Sequence, residues 1–168
     1  MDLAVIFSAR KEYTGADPLK IRLEEGVHEI VGSGGTLNVT CSHITFVGKG
    51  KDQTTIRGGF EVENQQHVKF EELAVTNLRG HGLWLTGSET NVDVLKCAVK
   101  ECRGTGMRLG GGATVTATQC EFLENGFRVR YFTVLQLSNL TDVTREGPTI
   151  RMSFGARQGE DEFTKKIH

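Results

Sequence analysis

Apolar–x–apolar pairs return along this chain at a nearly constant spacing. The stretches GGFEVEN, HGLWLTG, TGMRLGG, NGFRVRY and PTIRMSF carry Phe60/Val62, Leu83/Leu85, Met107/Leu109, Phe127/Val129 and Ile150/Met152. Leu37/Val39 and Ile21/Leu23 extend the series upstream. First members stand at 21, 37, 60, 83, 107, 127 and 150, so the steps are 16, 23, 23, 24, 20 and 23. A second series follows the central members: Ile44/Phe46, Val68/Phe70, Val92/Val94, Val115/Ala117 and Leu135/Leu137. A third apolar site trails it at Leu73, Cys97, Cys120 and Leu140. Period two is the signature of strands. A helical solenoid would need repeats of about thirty residues or more and a 3.6-residue period. Short strands recurring with glycine-rich turns predict an all-β fold, a parallel β-solenoid of about six to seven coils.

No single coil can bury its own apolar residues, but stacked coils place like over like about 4.8 Å apart. Seven rungs would make a rod roughly 30 Å long. Open ends of such a rod are exposed sheet edges and need covers. Leu3, Val5, Ile6 and Ala9 suit a short amphipathic helix over the first coil. The stretch GARQGEDEFTKKIH loses the repeat and reads as a loose polar tail. The expected organisation is an N-terminal helical cap over 1–17, the solenoid over 18–154 and a tail over 155–168.

Composition narrows the function classes. The 168 residues hold 21 glycines, 2 prolines, 20 basic and 21 acidic side chains. Such balance gives no reason to expect nucleic acid or a membrane surface as partner. Arg10-Lys11 ends the first apolar run too early for a signal peptide, so the expected location is cytoplasmic. Cys41, Cys97, Cys102 and Cys120 show no C-x-x-C spacing, which argues against zinc and for free thiols. No cofactor or metal is expected.

KIRLEEGVHEI, then LNVTCSHITFVGKGKDQTTIRGG, then the coils, resembles the right-handed parallel β-helix of the pectin-lyase-like superfamily. The resemblance covers roughly 18 to 153 by the register above. It implies fold more than function, because that superfamily holds lyases, hydrolases, epimerases, tail fibres and non-catalytic domains. In character the chain is closest to the compact β-helix domains attached to eukaryotic F-box and signalling proteins.

Gly80-His81-Gly82 resembles one motif of polygalacturonase-type hydrolases, which also use an Asp-Asp pair that this chain lacks. Arg79-Gly80-His81-Gly82 aligns with Arg103-Gly104-Thr105-Gly106 one coil later, so His81 reads as part of a turn extension. The outward residue between the two inward ones of each first-series strand is Arg22, Asn38, Glu61, Trp84, Arg108, Arg128 and Arg151 in turn. In the enzymes of that superfamily this face holds the substrate groove. Stacked arginines repel, and Trp and Arg are enriched at binding hot spots. Trp84, Arg108, Arg128 and Arg151, flanked by Arg79, His81 and Arg103, therefore read as a strip for an acidic glycan, a phosphate or an acidic protein. The bland alternative is a solvated face whose arginines pair with Glu121 or Glu124. Glu61 and Glu63, about 7 Å apart on one strand face, with Arg108 as base, are the alternative catalytic set of a polysaccharide lyase or glycoside hydrolase. The favoured reading is a non-catalytic binding or scaffold module.

Overall fold

In this computed structural model the described residues are 13–126, 136–137, 140–146 and 149–154, the last three segments as backbone strands. Three strands make one coil. The first coil holds β1 (Leu19–Arg22), β2 (Gly26–Glu29) and β3 (Thr36–Val39); the second holds β4 (Ile44–Val47), β5 (Thr54–Arg57) and β6 (Gly59–Glu63). The third holds β7 (Val68–Glu71), β8 (Ala74–Thr76) and β9 (Leu83–Thr86); the fourth holds β10 (Asn91–Leu95), β11 (Ala98–Lys100) and β12 (Met107–Leu109). Then come β13 (Thr114–Thr118), β14 (Glu121–Leu123), β15 (Gln136–Leu137), β16 (Leu140–Glu146) and β17 (Thr149–Phe154). Every third strand pairs in parallel, giving sheets ordered β1-β4-β7-β10-β13, β2-β5-β8-β11-β14 and β3-β6-β9-β12-β15.

The fold is thus an all-β parallel solenoid, of about four turns rather than the six to seven expected. Two apolar pairs were assigned to the wrong wall. Ile21 stands opposite Phe46, so Ile21/Leu23 does not open the first series. Leu137 stands opposite Leu109, so Leu135/Leu137 does not continue the second. Ile150/Met152 is no further parallel rung: β17 runs antiparallel to β13 and pairs with β16 as a hairpin. The proposed cap residues Leu3, Val5, Ile6 and Ala9 lie outside the described residues.

Alternation decides which side chains enter the core. Ile44, Phe46, Val68, Phe70, Val92 and Val94 are buried from one wall, and Phe60, Val62, Leu83, Leu85, Met107 and Leu109 from another. Burying one such side chain stabilises the fold by about 1.5–3 kcal/mol. In-register Phe46 and Phe70 stack at 5.2 Å and 7°, and Phe60 meets Phe70 edge-on at 4.8 Å.

The chain enters the second wall through a corner of unusual composition. Glu72, Lys96 and Gln119, directly after β7, β10 and β13, have φ of 53°, 51° and 55°. One residue in that left-handed conformation bends the chain sharply and delivers Leu73, Cys97 and Cys120 to the interior. The amides stay bonded rung to rung, Glu72 N–H to the Leu95 carbonyl and Lys96 N–H to that of Thr118. This satisfies backbone groups that would otherwise be buried unpaired. All four cysteines are free thiols.

Loop 48–53 folds back over the outer face of the second wall. Lys51 forms an ion pair with Glu121, 70 residues away. The first outward column of that wall reads Thr55, Ala74, Ala98, Glu121, so the link crosses Ala74 and Ala98. Both alanines are buried although they point away from the core.

Candidate functional site

The outer face of the third wall carries the residues singled out by the sequence. Cross-strand register places Asn38, Glu61, Trp84, Arg108 and Gln136 in one column. Arg108 is therefore followed on the next rung by Gln136. Arg128 lies outside the described residues, and Arg151 stands opposite Thr116 on a different wall. Arg22 is also elsewhere, opposite Val47. The row of stacked arginines thus reduces to Arg108 beside Trp84. The signal that misled was apolar spacing alone, which cannot tell one wall from another once turn lengths change.

Trp84 is 37% exposed, between the fully buried Leu83 and Leu85. The Arg108 guanidinium lies 5.3 Å from its ring centroid, a cation–π distance. Among the described residues no carboxylate pairs with Arg108 in an ion pair. Glu121, a partner expected under the bland alternative, is engaged by Lys51 instead. Glu61 is half-buried on one side of Trp84, and Glu63 is exposed opposite Thr86. No group of three His, Cys, Asp or Glu side chains able to hold a metal ion comes together among the described residues.

His81 is built into the turn that feeds β9. Gly104 N–H donates to the Gly80 carbonyl at 2.8 Å and Gly82 N–H to that of Thr105 at 3.1 Å, so the two aligned turns stack. Asn77, buried, knits its turn together: its Oδ1 accepts from the amides of Arg79 and Gly80, and its Nδ2 donates to the His81 carbonyl at 2.6 Å. The role of Asn77 was missed, although an asparagine three residues ahead of Gly80 is an ordinary turn signal. Thr105 N–H donates to His81 Nδ1 at 3.0 Å, and the Thr105 hydroxyl lies 2.7 Å from the same atom. Nδ1 is an acceptor, so the proton of the neutral ring sits on Nε2. Burial, and next the Arg108 charge, push the His81 pKa below its ordinary value. The ring meets Trp84 edge-on at 6.1 Å.

Glycine is dictated at the entrances of β9 and β12. A Cβ on Gly82 would lie 2.5 Å from the Gly106 carbonyl oxygen and 2.5 Å from Val99 Cγ1. One on Gly106 would lie 2.5 Å from Asn125 Nδ2, and one on Gly104 2.6 Å from His81 Nδ1. The Gly-His-Gly stretch is thereby explained by packing: two glycines admit the neighbouring rung and the histidine braces it.

Arg103 occupies the turn above Arg79, its amide donating to the Asn77 carbonyl at 2.8 Å. The wall therefore gathers one cation, one neutral imidazole and an indole within a few ångströms. Such a set can bind an anion and stack a flat or ring-shaped ligand. It offers no second carboxylate converging on Glu61 from the rungs of Trp84 or Arg108.

Comparison with known families gives one match: the right handed beta helix region matches residues 25–147. No curated protein and no solved structure matches the chain. With that match spanning most of the coils described above, the chain belongs to the right-handed β-helix family.

Proposed function

We propose that the chain is a non-catalytic binding module whose β9–β12 face holds an acidic ligand: an acidic glycan, a phosphate-bearing molecule or an acidic protein segment. The observation that carries the reading is Arg108, a guanidinium stacked on exposed Trp84 with no carboxylate among the described residues in an ion pair with it. A cation held in place without a counter-charge is ready for an incoming anion, because the cost of immobilising it is already met by the fold. Neutral His81 supports this, since its charged form would add repulsion beside Arg108 and its Nε2–H remains a donor.

The test is an array of acidic glycans and acidic peptides, read with wild type beside Trp84→Ala/Arg108→Ala. Binding lost in the variant and weakened by salt supports the reading, since exposed ionic contacts are screened over about 10 Å at 0.1 M. Binding unchanged in the variant refutes it. Incubation with polygalacturonate and calcium should give no unsaturated product and no new reducing ends. Activity that disappears in Glu61→Gln would overturn the reading in favour of a polysaccharide lyase or hydrolase.

A further inference from the structure

Around the corner from Trp84 the solenoid has a notch. The first coil passes from its second wall to its third through six residues, 30–35, and the third coil through six, 77–82. The second coil makes the same corner with Gly58 alone, between β5 and β6. Gly58 has φ 139° and no room for a side chain: a Cβ would sit 2.7 Å from the Gly35 carbonyl oxygen and from Ile30 Cβ. The tight corner between two long ones leaves a groove of about 380 Å³. Its walls are two rungs apart, roughly 10 Å, which is the space of one extended chain between two neighbours.

The lining is chemically specific. Leu78 lines the groove and is 73% exposed, while Val31, 83% exposed, follows the lining residue Ile30 on the opposite flanking turn. Their amides make no hydrogen bond within the described residues. Arg57 on the floor and Arg79 on one wall both face the groove. Arg79 lies close to the opposite turn, its Cδ 3.5 Å from where a Gly35 Cβ would be. Among the described residues neither arginine has an ion-pair partner, although Glu29 stands in register with Arg57. Along the rod the charges run Glu29, Arg57, Arg79, Glu101: cations at the centre, carboxylates at the ends.

We infer that this notch is a docking site for an extended peptide segment of a partner protein, with one carboxylate side chain between Arg57 and Arg79 and apolar side chains against Leu78 and the rim of the groove. One strand's width with unbonded amides suits a main chain, as in strand addition. Two unpartnered guanidiniums suit a carboxylate. The outer Glu29 and Glu101 disfavour a continuous acidic run and select a single acid flanked by apolar residues. The site is separate from the Trp84–Arg108 face and does not depend on it.

Fluorescence anisotropy with the full chain tests this, using a labelled pentapeptide with one glutamate between two leucines. Parallel probes carry lysine for glutamate, or serine for both leucines. Wild type binds the first probe and discriminates against the other two. Arg57→Ser/Arg79→Ser and Leu78→Ser each weaken binding about tenfold or more, the scale of one lost charge-assisted contact. Trp84→Ala/Arg108→Thr leaves it unchanged. Arg57→Glu/Arg79→Glu reverses the preference toward the lysine probe, which separates a lost site from a lost fold. Absence of binding by wild type overturns the inference, as does equal affinity for the lysine probe. Loss in Trp84→Ala/Arg108→Thr with retention in Arg57→Ser/Arg79→Ser would place the peptide on the other face. Self-association abolished by Arg57→Ser/Arg79→Ser would make the occupant a second copy and equally overturn it.

Discussion

Gly82→Ala measures how tightly the rungs are stacked. Gly82 has an ordinary backbone conformation, so alanine brings no torsional strain there. By itself the change would even favour folding by about 0.4–1 kcal/mol, through the less flexible unfolded chain. Against this, the added methyl would lie 2.5 Å from the Gly106 oxygen, 2.5 Å from Val99 Cγ1 and 3.0 Å from Cys102 Sγ. Ordinary contact begins near 3.4 Å, so the two closest neighbours must each retreat by close to 1 Å. Neither is the far end of a flexible side chain. Overpacking of this kind costs about 1–3 kcal/mol. Opening the rung also strains the 2.8 Å bond from Leu83 N–H to the Gly106 carbonyl, at about 1 kcal/mol if it is lost. The net expectation is a destabilisation of about 1–3 kcal/mol, or a fall in Tm of about 3–10 °C for a chain of this size. Urea unfolding, followed by circular dichroism and by Trp84 fluorescence, reads it. Gly80→Ala is the control, since its nearest neighbour is Asn77 Nδ2 at 3.4 Å, and should change stability by no more than about 0.5 kcal/mol. A Gly82→Ala protein as stable as wild type, or a Gly80→Ala protein equally damaged, would refute the packing account of the Gly-His-Gly turn.

Leu83→Asp should abolish folding by burying an unpaired carboxylate, while Trp84→Asp leaves a circular dichroism spectrum like wild type; equal unfolding of both would refute the inward–outward assignment. Burial pushes the Cys97 thiol up to about 12 and the Cys102 thiol to about 11. The unfolded thiols ionise near about 8.5, so stability present below that pH should fall by about 1.4 kcal/mol per unit per thiol above it. Cys97→Ala/Cys102→Ala should flatten the alkaline slope in urea titrations, and an unaltered slope would count against buried thiols. His81 has the opposite sign: its folded pKa is depressed, so its contribution is present above its unfolded value and lost as pH falls through the folded one. Nitrogen NMR should find Nδ1 unprotonated at neutral pH with a midpoint below the usual about 6.5, and a midpoint above it would contradict the burial and Arg108 charge that depress it. Arg108→Thr should leave the unfolding midpoint unchanged or raise it; a clear loss of stability would make Arg108 structural.

The two apolar–x–apolar series were legible because a strand wall sorts side chains by parity, and parity survives any turn length. Which wall a pair belongs to was not, because that depends on residues between strands. Ile21/Leu23 was misplaced by a step of 16 where the others are 20 to 24. The strands β8, β11 and β14 were read only as the single apolar sites Leu73, Cys97 and Cys120 just ahead of them. Glu72, Lys96 and Gln119 hide the corner: at φ near 50° one looks for glycine or asparagine, and rung-to-rung amide bonds hold Glu72 and Lys96 there instead. Trp84, Arg108 and His81 were placed correctly as neighbours because the third and fourth coils have matching turns, and Glu61 because β6 stays in register with β9 despite its shorter corner. Arg151 was not, because antiparallel β17 breaks the parallel succession that the repeat implied. The notch was invisible in the apolar pattern, since it arises from residues that the second coil lacks.

A stack of coils ordinarily behaves as a one-dimensional array, each layer held only by the layers above and below. Such an array can fray layer by layer from either end. The Lys51–Glu121 link departs from that rule, because it joins the second coil to the fifth strand of its wall without passing through the rungs between. Its ionic contact is largely exposed and small in energy. Its importance is topological. While it holds, β14 cannot peel from β11 without dragging loop 48–53 off Ala74 and Ala98, so separation of the outer layer uncovers apolar surface one and two layers away. Loop 48–53 thereby gives a sequential stack a degree of all-or-none cooperativity, and makes the middle of the rod sensitive to what happens at its far end.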